Sequence, residues 1–324
     1  MTLSRITTDL LDSARSETRG VVRYKLLGAF EVSGIRDCTP AAPKLRSVLA
    51  LLLLQANRVV NLDTLIDELW GPDPPKSAVT IVQTYIYHLR KIFVAEHLDP
   101  VAQRLIATRQ PGYLFHTQPE QVDADVFDRL VRRGRDSMED GHPRPAAASL
   151  GQALAMWTGP ALANVPQGDL LRAHAVHLEE RRINALELRI EVDISLGRQR
   201  QLIPELSSLV FAHPLNEWFH GQLIAALSNA GRRGEALLAY QTLRKLLSDE
   251  LGVDPSSALQ LLQRQVLAPG RPGRPAPNWS AGNGRDADVA WVVSDFVSSP
   301  LSTTSHTPAY ELTLDDLRAD TGRA

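Results

Sequence analysis

Between residues 76 and 91 the chain gathers hydroxyls, an amide, two phenols, an imidazole and cations at helical spacing. Thr80, Thr84, Tyr87, His88 and Lys91 fall on one helix face, with Gln83 beside them and Lys76 and Arg90 adding positive charge. Hydrogen-bonding side chains on such a face can match the donors and acceptors of base edges, and cations suit phosphate oxygens. Thr80, Gln83, Thr84, Tyr87 and His88 are therefore the candidate base readers. The candidate phosphate contacts are Lys44, Arg46, Lys76, Arg90, Lys91, Arg104, Thr108 and Arg109; for Arg90, Lys91 and Arg109 a merely solvated surface is the competing reading.

Catalytic chemistry has no visible residues. No Gly-rich stretch ends in Lys-Ser/Thr, and neither His-Glu-x-x-His nor Gly-x-Ser-x-Gly occurs. His174 and His177 lie three apart with Glu180 following, a spacing that could clasp a metal. Without a third convergent ligand such a pair reads as surface. His213, Trp218 and His220 read as packing or capping residues, and Glu179, Glu180, Arg181 and Arg182 as a solvated charge run. The chain is expected to be no enzyme and to hold no metal and no cofactor.

The cationic helix needs elements to position it. Val22–Leu27 alternates apolar and basic residues, meets Gly28 and continues into Phe30–Val32, the pattern of short antiparallel strands. Pro43 opens a helix in which Leu45, Val48, Leu49, Leu52 and Leu53 follow helical spacing, and Ala50, Leu51 and Leu54 make it apolar almost all round. Asn61 is placed to cap a second helix, carrying Leu62, Leu65, Ile66 and Leu69, that ends at Trp70-Gly71. The third helix, about 76–93, is expected to bury Ile81, Tyr85, Leu89 and Ile92, with Trp70 and Tyr113 also in the core. Arg104–Ile106 and Tyr113–Phe115 are β-rich around Gln110-Pro111-Gly112, which predicts a hairpin with Arg109 near its tip. Three helices and a hairpin make a winged helix-turn-helix, whose third helix can enter the major groove of duplex DNA.

From Val122 onward the strand patterns vanish. Amphipathic helices are predicted at about 123–139, 144–157, 169–196, 199–212, 215–230, 232–251 and 255–267. Leu196-Gly197-Arg198 and Ala230-Gly231-Arg232 stand 34 residues apart, each between two predicted helices. That is the tetratricopeptide period, and an irregular helical bundle is the alternative. Pro269 opens a Pro/Gly/Ser-rich tail expected to be largely disordered. The expected organisation is a flexible leader (1–20), a winged-helix domain (21–120), an all-α domain (121–268) and that tail (269–324).

Composition excludes whole classes of function. The 324 residues include one cysteine, which can neither close an internal disulfide nor build a thiolate zinc site. The longest purely apolar run, Val48–Leu54, is far below the roughly 20 residues that a bilayer requires. The first 20 residues lack the apolar core of a secretory signal. The expected location is cytoplasmic and nucleoid-associated. Net charge is −2, yet Val21–Gln118 holds 11 Lys and Arg against 8 Asp and Glu, so the only basic segment is the one carrying the candidate site.

Val22–Val32 followed by Lys44–Leu54, Asp63–Leu69 with Trp70-Gly71, Gln83–Lys91 and Thr108–Tyr113 resemble the winged helix of OmpR-type regulators. Gln121-Val-Asp123 opens a segment resembling the bacterial transcriptional activation domain, which closes at Asp249–Pro255. The pair resembles the Streptomyces antibiotic regulatory proteins over Val21 to about Ala268. Two unrelated motif sets in the family's order make the resemblance specific. It implies a transcription activator of a secondary-metabolite gene cluster, bound as a homodimer to direct repeats in double-stranded DNA beside a promoter and contacting RNA polymerase holoenzyme. Family members usually carry Arg where this chain has His88. The 56 tail residues lack the length and the motif of the ATPase found in larger relatives. The rival reading is a protein-interaction adaptor whose helical repeats bind a peptide and whose winged helix only docks. On the first view residues 1–120 are expected to bind DNA by themselves but weakly, and the intact protein to bind better by placing two modules on consecutive repeats.

Overall fold

The protein is described here by a computed structural model that covers residues 23–34, 36–95 and 104–268; the expectations for the leader and the tail lie outside the described residues. Strands β1 (Arg23–Lys25) and β2 (Glu31–Ser33) pair antiparallel with Tyr24 opposite Val32. Their alternation sends Tyr24 and Val32 into the core and leaves Lys25 outside, where it pairs with Glu31 at 2.8 Å. Helix α1 (Pro43–Leu54) starts on its proline and is buried nearly all round. After β3 (Val59–Asn61) come α2 (Leu62–Trp70) and α3 (Ala78–Ala95), the two helices of the helix-turn-helix, then β4 (Ile106–Arg109) and β5 (Gly112–Phe115). The second sheet has order β3-β5-β4, antiparallel throughout.

Strand β3 was not anticipated. Two β-branched residues, Val59 and Val60, are too short a run to announce a strand, and only the approach of β5 supplies the partner. That approach is tight, because a Cβ on Gly112 would stand 1.9 Å from the Val60 carbonyl oxygen. The buried stripe of α3 also differs from expectation. It runs through Ala78, Val82, Ile86, Leu89 and Phe93, while Ile81, Tyr85 and Ile92 are half-buried at its flank. Two apolar stripes of the same spacing share Leu89 on this helix, and the position of the wing and α1 decides between them.

The remaining helices are α4 (Asp123–Glu139), α5 (Pro143–Leu154), α6 (Asp169–Ser195), α7 (Gln199–Ala212), α8 (Glu217–Asn229), α9 (Arg233–Leu251) and α10 (Ser257–Leu267). Gly197 and Gly231, 34 residues apart, adopt φ of 77° and 80°. At both, the following N–H reaches back to close the helix end, Arg198 to the Asp193 carbonyl and Arg232 to that of Leu227. Gly141, at φ 75°, makes the same turn between α4 and α5, with His142 N–H on the Ser137 carbonyl. The all-α domain is thus tetratricopeptide-like, with one helix-pair turn more than the sequence spacing revealed.

The winged helix and the helical region share one core. Phe127, Trp157, Leu162 and Leu171 belong to the same apolar cluster as Tyr24, Phe30, Leu49 and Phe115. The loop after α5 also lies along the β1–β2 turn: the N–H groups of Thr158, Leu162 and Ala163 donate to the carbonyls of Leu27, Leu26 and Gly28 at 3.0–3.1 Å. Gly28, at φ 146°, must be glycine, since a Cβ would meet the Thr158 hydroxyl at 2.1 Å. The charge run of α6 is not a solvated face. Glu179 accepts from Ala161 N–H at 2.8 Å, Arg181 pairs with Asp128, and the Arg182 guanidinium lies 4.9 Å from the Trp157 ring centre. These long side chains cover the seam to α4 and the loop.

Candidate nucleic-acid interface

Helix α3 buries one face and offers the other to solvent. Thr80, Gln83, Thr84, Tyr87, His88 and Lys91 are all exposed there, Tyr87 by 61%. The helix contains no carboxylate, so nothing on it opposes a polyanion. The Thr84 hydroxyl donates to the Thr80 carbonyl at 2.8 Å, which leaves its oxygen lone pairs facing outward as acceptors. Tyr87 and His88 meet edge to face at 5.7 Å, limiting the rotation of both rings. Lys76 is exposed in the turn just ahead of α3, and Val79, 45% exposed, adds an apolar group to its first turn. Sequence reasoning missed Val79, because a valine among apolar neighbours gives no sign that it faces water.

The hairpin of β4 and β5 forms the wing, with Arg109 paired to Gly112 beside the turn and its side chain exposed. Arg104 is exposed ahead of β4. Arg90, a phosphate candidate, has its guanidinium turned to the wing. Its Nε and Nη2 donate to the Ile106 carbonyl at 3.0 and 2.8 Å, and Nη2 also reaches the Thr108 hydroxyl at 2.9 Å. Arg90 and Thr108 thereby clamp the wing to α3. A planar guanidinium fork suits this task, because one side chain serves two acceptors at fixed angles.

The two upstream cations are also engaged. The Lys44 ammonium sits 4.5 Å from the Trp70 ring centre, a cation–π contact between α1 and the end of α2. Arg46 donates through Nε and Nη1 to the carbonyls of Asn164, Pro40 and Ala41 at 3.0–3.3 Å, which engages this phosphate candidate at the domain seam. Exposed and gathered on one side of the helix-turn-helix are therefore Thr80, Gln83, Thr84, Tyr87, His88, Lys91 and Lys76, with Arg109 on the wing. Among the described residues no group of three or more His, Cys, Asp and Glu could hold a metal ion. His174 and His177 are held below the ordinary imidazole range, chiefly by burial. His220 is buried with Nε2 at 3.0 Å from the Pro214 carbonyl, and His213 packs on Phe219, both in agreement with packing roles. No helix among the described residues is long and apolar enough to cross a membrane.

Comparison with known proteins is consistent with this arrangement. The family described as transcriptional regulatory protein, C terminal, matches residues 38–115, and the bacterial transcriptional activator domain matches residues 122–267. The regulatory protein DnrI of Streptomyces peucetius is 43% identical over 233 residues, covering 71% of this chain and 85% of DnrI. The chain belongs to the Streptomyces antibiotic regulatory protein family. The transcriptional regulator RedD of Streptomyces coelicolor is 35% identical over 255 residues, covering 77% of this chain and 71% of RedD. A solved structure of Mycobacterium tuberculosis EmbR, in complex with a low-affinity phosphopeptide, superposes with a TM-score of 0.71 at 31% identity. It covers 76% of this chain, which spans 65% of the EmbR chain. As a Streptomyces antibiotic regulatory protein, the chain is a DNA-binding transcriptional activator of the antibiotic-cluster type.

Proposed function

We propose that the protein binds direct repeats beside a promoter as a homodimer, reads base edges with α3 and recruits RNA polymerase holoenzyme through its helical domain. The observation that carries this reading is the solvent face of α3, polar and free of carboxylates, next to a wing tipped by Arg109. Thr80, Gln83, Thr84, Tyr87 and His88 face the major groove as base readers. Lys76, Lys91 and Arg109 contact phosphates, and Arg104 lies within the same reach. Repeats spaced by about one helical turn, roughly 10.5 bp, bring two such helices to the same side of the duplex. The controlled genes are those of a secondary-metabolite cluster, and the protein acts in the cytoplasm at the nucleoid.

Footprinting on DNA upstream of the neighbouring genes tests the proposal, together with affinity measured across a salt series. Protected direct repeats and a steep loss of affinity with salt are expected. Palindromic protection refutes the direct-repeat arrangement. Absence of any salt-dependent promoter binding refutes the DNA-reading role of α3.

A further inference from the structure

Helix α6, the long helix of the activator domain, begins without a cap of its own. Its N-cap residue is Gly168, and no side chain of that residue is there to accept from the first turn. Four N–H groups at such an end need acceptors. Three N–H groups at this end of α6 find acceptors in Glu68, which lies on α2 within the helix-turn-helix. Glu68 Oε1 accepts from Gly168 N–H at 2.6 Å, and Oε2 accepts from Leu170 and Leu171 N–H at 2.9 and 3.1 Å. The Glu68 side chain belongs to a residue only 7% exposed.

The approach is close enough to dictate the residue types on both sides. A Cβ on Gly168 would stand 2.3 Å from the Glu68 carbonyl oxygen and 2.8 Å from its carboxylate carbon. Neighbouring contacts pull the same segment onto the winged helix. The Ser47 hydroxyl donates to the Pro166 carbonyl at 2.6 Å, and Asn164 exchanges hydrogen bonds with the backbone of Phe30 at 2.6 and 3.2 Å. A serine or aspartate at position 168 would be the ordinary way to cap a helix, but its Cβ would collide with the Glu68 carbonyl oxygen, so α6 takes its cap from the other domain. Capping α6 from α2 instead buries a carboxylate and ties the direction of α6 to the helix that immediately precedes α3.

We propose that Glu68 is a positioning residue for activation: through α6 it fixes which face of the helical domain stands toward polymerase when α3 lies on its operator. This rests on the activator reading above. Glu68 is buried against the start of α6 and lies apart from the exposed residues of α3, so its loss acts on the seating of α6 and leaves the DNA-reading face intact.

The test uses the full chain in a purified transcription reaction with RNA polymerase holoenzyme and a footprinted promoter. Melting temperature, promoter affinity, and transcripts per promoter at saturating protein are measured together, below the melting temperature of every variant. Glu68→Gln is nearly isosteric but turns an NH2 toward N–H groups. Gly168→Ala perturbs the same contact from the other domain, by pushing on the α2 backbone. Output per occupied promoter is expected to fall at least about fivefold in both variants, with promoter affinity within about twofold of the parent chain. Lowered melting temperature with unchanged output per occupied promoter makes the contact a cap alone and overturns the proposal. Should Gly168→Ala fail to fold, Glu68→Gln decides by itself. Failure of the parent chain to bind or activate any promoter instead overturns the activator reading, and the inference with it.

Discussion

Replacing Arg90 by alanine separates two roles that a cation beside a DNA-reading helix can play. Its guanidinium makes three hydrogen bonds to the wing, two to the Ile106 carbonyl and one to the Thr108 hydroxyl. Bonds from a charged donor are each worth about 1.5–3 kcal/mol when desolvated. Here they share one partly exposed group, so the loss is taken as one such interaction, about 2 kcal/mol. For a cooperative unit of this size each kcal/mol moves the melting temperature by about 2–4 °C, which gives a fall of about 4–8 °C. The wing then holds Arg109 less firmly, and affinity for every DNA sequence should drop by a few fold. The slope of log affinity against log salt should not change, because no phosphate contact of Arg90 itself is lost. Thermal melting by circular dichroism and fluorescence anisotropy across a salt series measure both quantities on the same preparation. A slope reduced by about one with an unchanged melting temperature would mean that Arg90 neutralises a phosphate, and the clamp would be wrong.

Three further outcomes are expected. Thr84→Ala and His88→Ala should relax preference at single base pairs at a cost of about 1–3 kcal/mol on the specific site, whereas Lys91→Ala and Arg109→Ala should weaken all sequences alike and lower the salt slope by about one; His88→Arg should bind more tightly with a steeper slope. A fragment ending at residue 120 should show no cooperative melting, since Leu26, Leu27 and Phe30 lose the loop that carries Thr158, Leu162 and Ala163 and the cluster loses Phe127 and Trp157; a sharp thermal transition of that fragment would contradict the shared core. Burial pushes the Asp123 carboxyl up to about 6 despite the Leu26 and Leu27 N–H groups that it accepts, at 2.8–3.0 Å. The folded chain therefore holds this proton more tightly than the unfolded one, and stability should rise by up to about 3 kcal/mol as pH falls from about 7 toward 4. Denaturant midpoints compared between the parent chain and Asp123→Asn isolate that contribution, and equal pH profiles would refute it.

Much of the fold was legible because its signals are local. Helix periodicity placed all seven helices of the activator domain within a few residues of their observed ends, and Gly197 and Gly231 marked turns that only a residue tolerant of positive φ makes cheaply. The polar face of α3 was legible for the same reason: spacing alone puts Thr80, Thr84, Tyr87, His88 and Lys91 together, whichever way the helix is later turned. Pro43 and the Pro111-Gly112 pair likewise announced a helix start and a hairpin through their own restricted or permissive backbones.

What spacing could not supply was the identity of partners distant in the chain. Arg46, Arg90 and Arg109 are equivalent as letters, yet one binds carbonyls at the domain seam, one clamps the wing and one stands in solvent. Glu68 looked like any acid on an amphipathic helix, and its three N–H partners lie 100 to 103 residues further on. Sequence also suggested a winged helix able to fold alone, because each segment carries enough apolar residues for a core of its own. Whether two cores stay separate depends on which surfaces meet, and here the loop after α5 lays its backbone along the β1–β2 turn and merges them. Hydrophobic pattern and backbone propensity act over a few residues and were fixed by the chain itself; the capture of a particular guanidinium or carboxylate depends on distances that exist only once the chain has closed on itself.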